Sequence, residues 1–175
     1  TWTVDTAAPD TTITAHTVPS GSGGTSINDG ATTAQNSIRF VFSGSPAADV
    51  DHFVCDLDGT ITDPCSSPLD ITGLGDGSHT FTVAAVDAVG NADQSPASFT
   101  WTVDRTAPDT TITAHTVPSG SSGTSINDGA TTAQNSIRFV FSGSPAADVN
   151  HFVCTLDGTI TDPCSSPLDI TGLGD

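Results

Sequence analysis

The stretch that decides the fold is residues 52–104, HFVCDLDGTITDPCSSPLDITGLGDGSHTFTVAAVDAVGNADQSPASFTWTVD. Apolar side chains occupy every second position in three runs of this stretch. An alternation of period two places the apolar side chains on one face of a β-strand and the polar ones on the other. The three runs predict strands of an antiparallel β-sandwich that bury, in turn, Phe53, Cys55 and Leu57; Phe81, Val83 and Ala85; and Phe99, Trp101 and Val103.

Two Asp-Gly pairs, Asp58-Gly59 and Asp76-Gly77, separate apolar runs of this stretch. Asp-Gly is a strong signal for a tight turn between antiparallel strands, because both positions tolerate a positive φ. Both pairs are therefore predicted to be tight turns.

Four cysteines occur in two local pairs, Cys55 with Cys65 and Cys154 with Cys164, each with nine residues between its members. Either of the other pairings would link the two halves of the chain, whereas the local pairing gives each half its own disulfide. A zinc site is the alternative, but this spacing lacks the close pairs of typical zinc ligands. We therefore expect two local disulfides and an oxidising compartment.

The order of these elements resembles the bacterial and archaeal Ig-like repeats of long secreted surface proteins. Two departures are Ile61 and Ile71, where the family often has an aromatic residue. The resemblance implies a spacer or fibre module and no chemistry. It is carried by the segments F-x-C-x-L-D-G, C-x-S-P, L-x-D-G-x-H-T-F-x-V, D-x-x-G-N, S-P-A-S and T-W-T-V-D at residues 53–59, 65–68, 74–83, 87–91, 95–98 and 100–104.

The chain also contains an internal repeat with an offset of 99 residues. Residues 1–76 and 100–175 differ only at Thr6/Arg105, Ala7/Thr106, Gly23/Ser122, Asp51/Asn150 and Asp56/Thr155. This pattern predicts tandem domains. We expect residues 1–5 to be the last strand of a preceding repeat, residues 6–104 to be a complete Ig-like domain, and residues 105–175 to be a second one, truncated before its last two strands.

The complete domain is predicted to be all-β, with about seven short strands, one disulfide and no helix beyond a turn. A long Gly- and Ser-rich loop is expected at residues 19–36. The predicted strands are residues 11–18, 37–43, 52–58, 61–65, 69–72, 79–87 and 97–104.

The charge of the chain excludes several classes of partner. Its 20 acidic residues are all Asp, its only cations besides histidine are Arg39, Arg105 and Arg138, and its formal net charge is −17. Nucleic acid and anionic membrane surfaces would be repelled. No apolar run approaches the ~20 residues needed to cross a bilayer, so no membrane insertion is expected.

The histidines are predicted to be structural rather than catalytic, because no Ser-His-Asp set occurs in the strand–turn–helix context of a nucleophile elbow. The chain is therefore not expected to be an enzyme. They are His16, His52, His79, His115 and His151.

The acidic residues suggest a calcium site at the domain junctions. In an Ig-like topology, the linker before a domain lies beside two of its loops, and clusters of carboxylate and amide oxygens suit Ca²⁺. A solvated acidic surface is the alternative, and Arg105 could neutralise the same carboxylates without a metal. No cofactor is required, and the candidate calcium ligands are Asp5, Asp10, Asp87, Asn91, Asp93, Asp104 and Asp109.

The pattern as a whole favours a structural repeat module of an extracellular stalk or filament on a prokaryotic cell surface. Its expected partners are copies of itself, joined head to tail as a continuous array or by strand exchange. The alternative is an adhesin or glycan-binding module that uses its loops to contact surface glycans.

Overall fold

The computed structural model describes residues 2–120 and 122–174 and divides the chain into two compact units, Thr1–Arg105 and Thr106–Asp175. The described residues of the first unit form nine strands and one 3-10 turn, at Ala47–Asp49. Its strands are β1 (Asp10–Val18), β2 (Thr25–Ser26), β3 (Ala31–Thr33), β4 (Ser37–Ser45), β5 (His52–Leu57), β6 (Thr60–Cys65), β7 (Leu69–Thr72), β8 (Gly77–Val86) and β9 (Ala97–Val103).

These strands form two sheets, with the orders β2-β1-β4-β7 and β3-β9-β8-β5-β6. All neighbours are antiparallel except β3 and β9. The inner faces of the two sheets share one core, in which the Phe40 and Phe81 rings stack with their centroids 4.2 Å apart. The prediction of an all-β sandwich with about seven main strands is confirmed.

The predicted alternation decides which side chains are buried. Phe81, Val83 and Ala85 of β8 are buried, and so are Phe99, Trp101 and Val103 of β9. Strand β4 contributes Ile38, Phe40 and Phe42 from its inner face. Burying a large apolar side chain stabilises the fold by about 1.5–3 kcal/mol, so these three strands supply much of the driving force.

One of the two predicted tight turns is confirmed. Asp58 and Gly59 have φ values of 51° and 84° and connect the hairpin of β5 and β6. Asp76-Gly77 was wrongly predicted to be a tight turn between paired strands, because β7 and β8 belong to different sheets. The Asp-Gly dipeptide signals a local bend but carries no information on which strand pairs with which.

Residues 19–36 are more ordered than the predicted loop. They contain β2, which extends the first sheet beside β1, and β3, which lies parallel to β9 with Ala31 opposite Trp101. A parallel pair between residues this far apart in sequence leaves no local pattern, so the sequence reasoning missed it.

The second unit repeats most of this architecture. Its strands are β10 (Asp109–Val117), β11 (Thr124–Ser125), β12 (Ser136–Ser144), β13 (Phe152–Leu156), β14 (Thr159–Cys164) and β15 (Leu168–Thr171), with a 3-10 turn at Ala146–Asp148. They form a four-stranded sheet, β11-β10-β12-β15, and a separate hairpin of β13 and β14. The register of β10 on β12, including its bulge, matches that of β1 on β4.

Two features bear on the predicted domain boundaries. Residues 2–9 belong to no sheet of the described chain, and the side chain of Trp2 is 85 % exposed. The described residues of the second unit include no counterpart of β8 or β9. Thr1 and Asp175, at the outer limits of the predicted domains, lie outside the described residues. The boundaries themselves stay a prediction.

Among residues 2–120 and 122–174, no helix has both the length and the apolar character that a membrane span requires.

Candidate functional site

The loop between β8 and β9 holds three of the predicted calcium ligands, and Asp87 organises it. The Asp87 carboxylate accepts hydrogen bonds from the backbone N–H groups of Val89 (2.9 Å) and Asn91 (2.7 Å) and from the Asn91 side-chain amide (2.7 Å). The Asp87 side chain is buried. Both carboxylate oxygens of Asp87 therefore stabilise the conformation of this loop through hydrogen bonds.

Asn91 connects this loop to the segment that precedes β1. Its side-chain amide donates a hydrogen bond to the backbone carbonyl of Asp5 over 3.2 Å. The Asp5 carboxylate accepts the N–H of Ala7 over 3.1 Å. The sequence reasoning predicted that Asp5 and Asn91 lie together, and the structure places them so.

Asp93 is also buried, and it binds groups of its own unit. Its Oδ1 accepts hydrogen bonds from the N–H (2.8 Å) and the hydroxyl (3.2 Å) of Ser95. Nearby, the buried Thr11 hydroxyl accepts the N–H of Ala85 over 2.7 Å, which ties β1 to β8 across the core. Asp10, the first residue of β1, lies opposite Ser45 and is exposed.

The electrostatics of Asp87 and Asp93 follow from these contacts. Burial raises the pKa of each carboxyl, but N–H and hydroxyl donors outweigh it, so both pKa values lie below the usual range. For Asp87 the donors are the groups of Asn91, Val89 and Gly90, and for Asp93 they are the groups of Ser95 and Thr11. Both carboxylates are therefore charged near neutral pH.

The remaining predicted ligands belong to different units. Asp104 follows β9, and its N–H donates to the Thr33 carbonyl over 2.9 Å. Asp109 begins β10 in the second unit and is exposed. Arg105, whose neutralisation of the junction carboxylates was the alternative to a metal, donates from Nε to Asp76 Oδ1 over 2.7 Å.

Among the described residues, no group of three or more His, Cys, Asp or Glu side chains has the geometry to hold a metal ion. Both carboxylate oxygens of Asp87 and Oδ1 of Asp93 accept hydrogen bonds from N–H and O–H donors, whereas Asp93 Oδ2 is buried without a hydrogen-bond partner among the described residues. Calcium binding at the junctions stays a prediction.

The structure joins Cys55 to Cys65 and Cys154 to Cys164. Each disulfide crosses a hairpin within one sheet, β5 with β6 and β13 with β14, at a bulge in the register. The strand β6 is an edge strand, so the disulfide holds the edge of its sheet to the strand beside it.

The sequence reasoning missed a contact between His79 and Asp58. His79 Nδ1 lies 2.7 Å from Asp58 Oδ2, and His79 Nε2 lies 3.0 Å from the Gly75 carbonyl. The other Asp58 oxygen accepts the N–H of Thr80 over 2.7 Å. The Asp58-Gly59 dipeptide predicts a tight turn at Asp58. The alternation of apolar residues does not show that His79, on the neighbouring strand, is the partner of its carboxylate.

The other histidines make surface or packing contacts. His52 lies 3.0 Å from Asp51 and 3.3 Å from Asp63, and the His16 ring packs on Phe99. In the part of the chain that the structure describes, the polar partners of the His52 and His79 rings are aspartates and the Gly75 carbonyl, not serine hydroxyls. The prediction that the chain is not an enzyme remains a prediction.

The second unit contains an open apolar groove of about 610 Å³. It lies on the inner face of the β11-β10-β12-β15 sheet and beside the β13–β14 hairpin. The groove is lined by Thr110, Ile112, Phe139, Phe141, Phe152 and Leu156, among others.

No model of a known protein family matches the sequence, and no curated protein matches it. Two solved structures from B. thetaiotaomicron each match 55 % of this chain. One is the extracellular domain of a protein described as a hybrid two-component system, with 19 % identity, a TM-score of 0.45 and 15 % of that chain covered. The other is the extracellular domain of a protein described as a one-component system, with 14 % identity, a TM-score of 0.41 and 16 % of that chain covered. The matched region spans less than a fifth of either structure.

Proposed function

We propose that the chain is a structural repeat module of an extracellular stalk or filament on a prokaryotic cell surface. Each module buries its own core, and copies of the module are its main partners, arranged head to tail. Its role is mechanical: it sets the distance between the surface and whatever the filament carries.

The observation that carries this proposal is the repetition of one scaffold in detail. The two units share the β-bulge between their first two long strands and the hairpin disulfide. They also share an ion pair, which joins β4 to β7 in the first unit and β12 to β15 in the second. That pair joins Arg39 to Asp70 over 2.5 Å and Arg138 to Asp169 over 2.6 Å. Loops that differ between copies would favour a binding module, because they could contact different ligands. Nearly identical copies favour a spacer, because every junction of a regular array is then equivalent.

The disulfides support the extracellular location. Disulfides form and persist outside the reducing cytosol, and they are common in small domains with thin cores. Only 35 % of the residues are hydrophobic, so a covalent link across each hairpin contributes a large share of stability. The net charge of −17 keeps such modules soluble and separate.

Small-angle scattering on proteins with two, three and four copies of the 99-residue repeat tests the proposal. A spacer module predicts that the maximum dimension grows by the same increment with each added copy. A particle that stays compact as copies are added would contradict a spacer role. A glycan array on the same proteins identifies the adhesin alternative if specific glycans are bound.

A further inference from the structure

The first unit has a cleft that is lined by residues of that unit. It has a volume of about 590 Å³ and opens between the segment that joins β4 to β5 and the turn that follows β6. This volume lies within the range of protein ligand sites, about 300–1,000 Å³. The lining combines aromatic, aliphatic and acidic side chains, among them Phe42, Val50, Asp51, His52, Phe53 and Pro64.

The floor of the cleft is aromatic. The Phe42 and Phe53 rings lie edge to face, with their centroids 5.0 Å apart. Phe42 is buried, and Phe53 is half-buried. An aromatic ring attracts a cation that lies over its face within about 6 Å of the centroid. The floor therefore offers both an apolar contact and an attraction for positive charge.

The rim of the cleft is acidic, and His52 holds two of its carboxylates in place. His52 Nδ1 lies 3.0 Å from Asp51 Oδ2, and His52 Nε2 lies 3.3 Å from Asp63 Oδ1. The side chains of Asp51 and Asp63 are 57 % and 54 % exposed, so an incoming group can reach them. Asp49, in the 3-10 turn that borders the cleft, adds a third carboxylate. A cation is therefore attracted to this opening.

An arginine side chain matches this combination of an aromatic floor and an acidic rim. Its planar guanidinium can stack on an aromatic ring and pair with a carboxylate through two N–H groups, and its stem is apolar. The ammonium of lysine is more compact and more strongly hydrated. The arginines of the chain already pair with aspartates of their own units, so a different protein is the better source. These pairs are Arg39 with Asp70, Arg105 with Asp76 and Arg138 with Asp169.

We propose that this cleft is a docking site for an arginine side chain of a basic partner protein. The guanidinium pairs with Asp51 and lies over the Phe53 ring, and the arginine stem contacts Val50. This inference goes beyond the proposed structural role and does not depend on it. The second unit provides a comparison within the same chain, because Asn150 stands at the position of Asp51 and removes one carboxylate.

The test titrates a short peptide with one arginine and no other charged group into the ¹⁵N-labelled full chain, at pH 7 and low ionic strength. We expect saturable shifts of the amide resonances in residues 42–53 and 64–67. Smaller shifts are expected in residues 141–152 and 163–166, at the corresponding positions of the second unit. A peptide with citrulline, which resembles arginine but has no charge, should bind at least about tenfold more weakly. A peptide with lysine should bind about threefold more weakly.

Variants of the chain locate the site. Asp51→Asn gives the first unit the residue of the second and should weaken binding of the arginine peptide about two- to fivefold, because one exposed carboxylate is lost. Phe53→Leu removes the aromatic ring but keeps an apolar side chain, and should weaken binding to a similar extent. Asp109→Asn removes an exposed carboxylate of the second unit and is the matched control, which should leave the affinity unchanged. If Phe53→Leu fails to fold, as its amide spectrum would show, Asp51→Asn still decides.

Each outcome decides the inference. Saturable shifts at the cleft that Asp51→Asn weakens and Asp109→Asn does not would support it. Shifts that spread evenly over the acidic surface, or equal binding of the arginine and citrulline peptides, would overturn it, and so would the absence of shifts at the cleft. The scattering series tests the structural role separately, so either proposal can fail without the other.

Discussion

At the scale of single residues, His79 shows how one side chain can make stability depend on pH. Its two ring nitrogens both face oxygen atoms, those of Asp58 and Gly75, and only the charged imidazolium carries a proton on each nitrogen. Burial lowers the pKa of His79, but the hydrogen bonds to Asp58 and Gly75 outweigh it and raise that pKa above its usual value. Burial raises the pKa of Asp58, but His79 and the Thr80 N–H outweigh it and lower that pKa.

The sign of the pH effect follows from the two shifts. The raised pKa of His79 contributes stability that is fully present below about pH 6.5 and is lost as the pH rises through the folded-state pKa. The lowered pKa of Asp58 contributes stability that is present above about pH 4 and is lost as the pH falls. The pair therefore stabilises the first unit most between about pH 4 and 6.5.

We predict that His79→Gln lowers the free energy of unfolding of the first unit by about 1–2 kcal/mol at pH 6 and by less at pH 8. Urea unfolding followed by tryptophan fluorescence measures this, because both tryptophans, Trp2 and Trp101, belong to the first unit and only Trp101 is buried. His151→Gln, at an exposed position of the second unit, is the control. An equal loss at both pH values would show that the imidazole is neutral in the folded state.

The residue scale also shows what could be predicted from the sequence. The positive φ of Asp58 was predictable, since Asp-Gly favours such a turn locally. The contact of Asp58 with His79 was not, because the two residues are 21 positions apart and meet only through strand pairing. Asp5 and Asn91 were correctly predicted to lie together. The sequence did not show whether the oxygens of the neighbouring Asp87 carboxylate bind a cation or accept hydrogen bonds from N–H groups, as they do.

At the scale of elements, two parts of the first unit are held by specific local contacts. A disulfide crosses the hairpin of β5 and β6, and the Asp87 hydrogen bonds hold the loop between β8 and β9. The hairpin includes the edge strand β6, whose Ile61 is largely exposed and adds little to the core. The alternation of β4, β8 and β9 predicted their buried faces correctly, because each strand has one face toward a single core. The parallel pair of β3 and β9 escaped prediction because it depends on chain path rather than on local pattern.

We predict that the double substitution Cys55→Ala/Cys65→Ala destabilises the first unit by about 2–3 kcal/mol, since it opens a loop whose ends have a sequence separation of 10 and so frees the unfolded chain. The loss should appear in tryptophan-detected urea unfolding. Cys154→Ala/Cys164→Ala should leave that transition in place. Peptide mapping without reduction should recover each local pair as a linked species. A Cys55–Cys154 link would contradict the local pairing.

The β8–β9 loop gives a test that separates a structural carboxylate from a calcium ligand. Asp87→Asn should lower the melting temperature of the first unit by several degrees in a chelator, because the Asn side chain is a weaker acceptor for the Val89 and Asn91 N–H groups. A calcium ligand would instead show its effect only when calcium is present. Melting with calcium, and with a chelator, distinguishes the two roles.

At the scale of the whole molecule, the charge is the dominant feature. The chain has twenty aspartates and only three arginines. Two of the arginines, Arg39 and Arg138, form ion pairs with Asp70 and Asp169 within the sheets. Like charges at this density repel one another in the compact state, and salt screens that repulsion. The acidic surface was evident from composition, whereas its distribution over two repeated scaffolds required the structure.

We predict that the melting temperature of the chain rises steadily as sodium chloride increases from about 10 mM to 1 M, over which the screening length falls from about 30 to 3 Å. Potassium chloride should have the same effect at equal ionic strength. A further rise with millimolar calcium, beyond that of sodium chloride at matched ionic strength, would identify a specific calcium site. A melting temperature that falls with added salt would contradict the role assigned to charge repulsion.

The most direct test of the proposed structural role is electron microscopy of the native assembly, labelled with an antibody against residues 19–36. If the chain is a repeat module of a surface filament, the label should decorate filaments on the cell surface at one regular axial spacing. Labelled particles that are only compact monomers, free of any filament, would contradict the account.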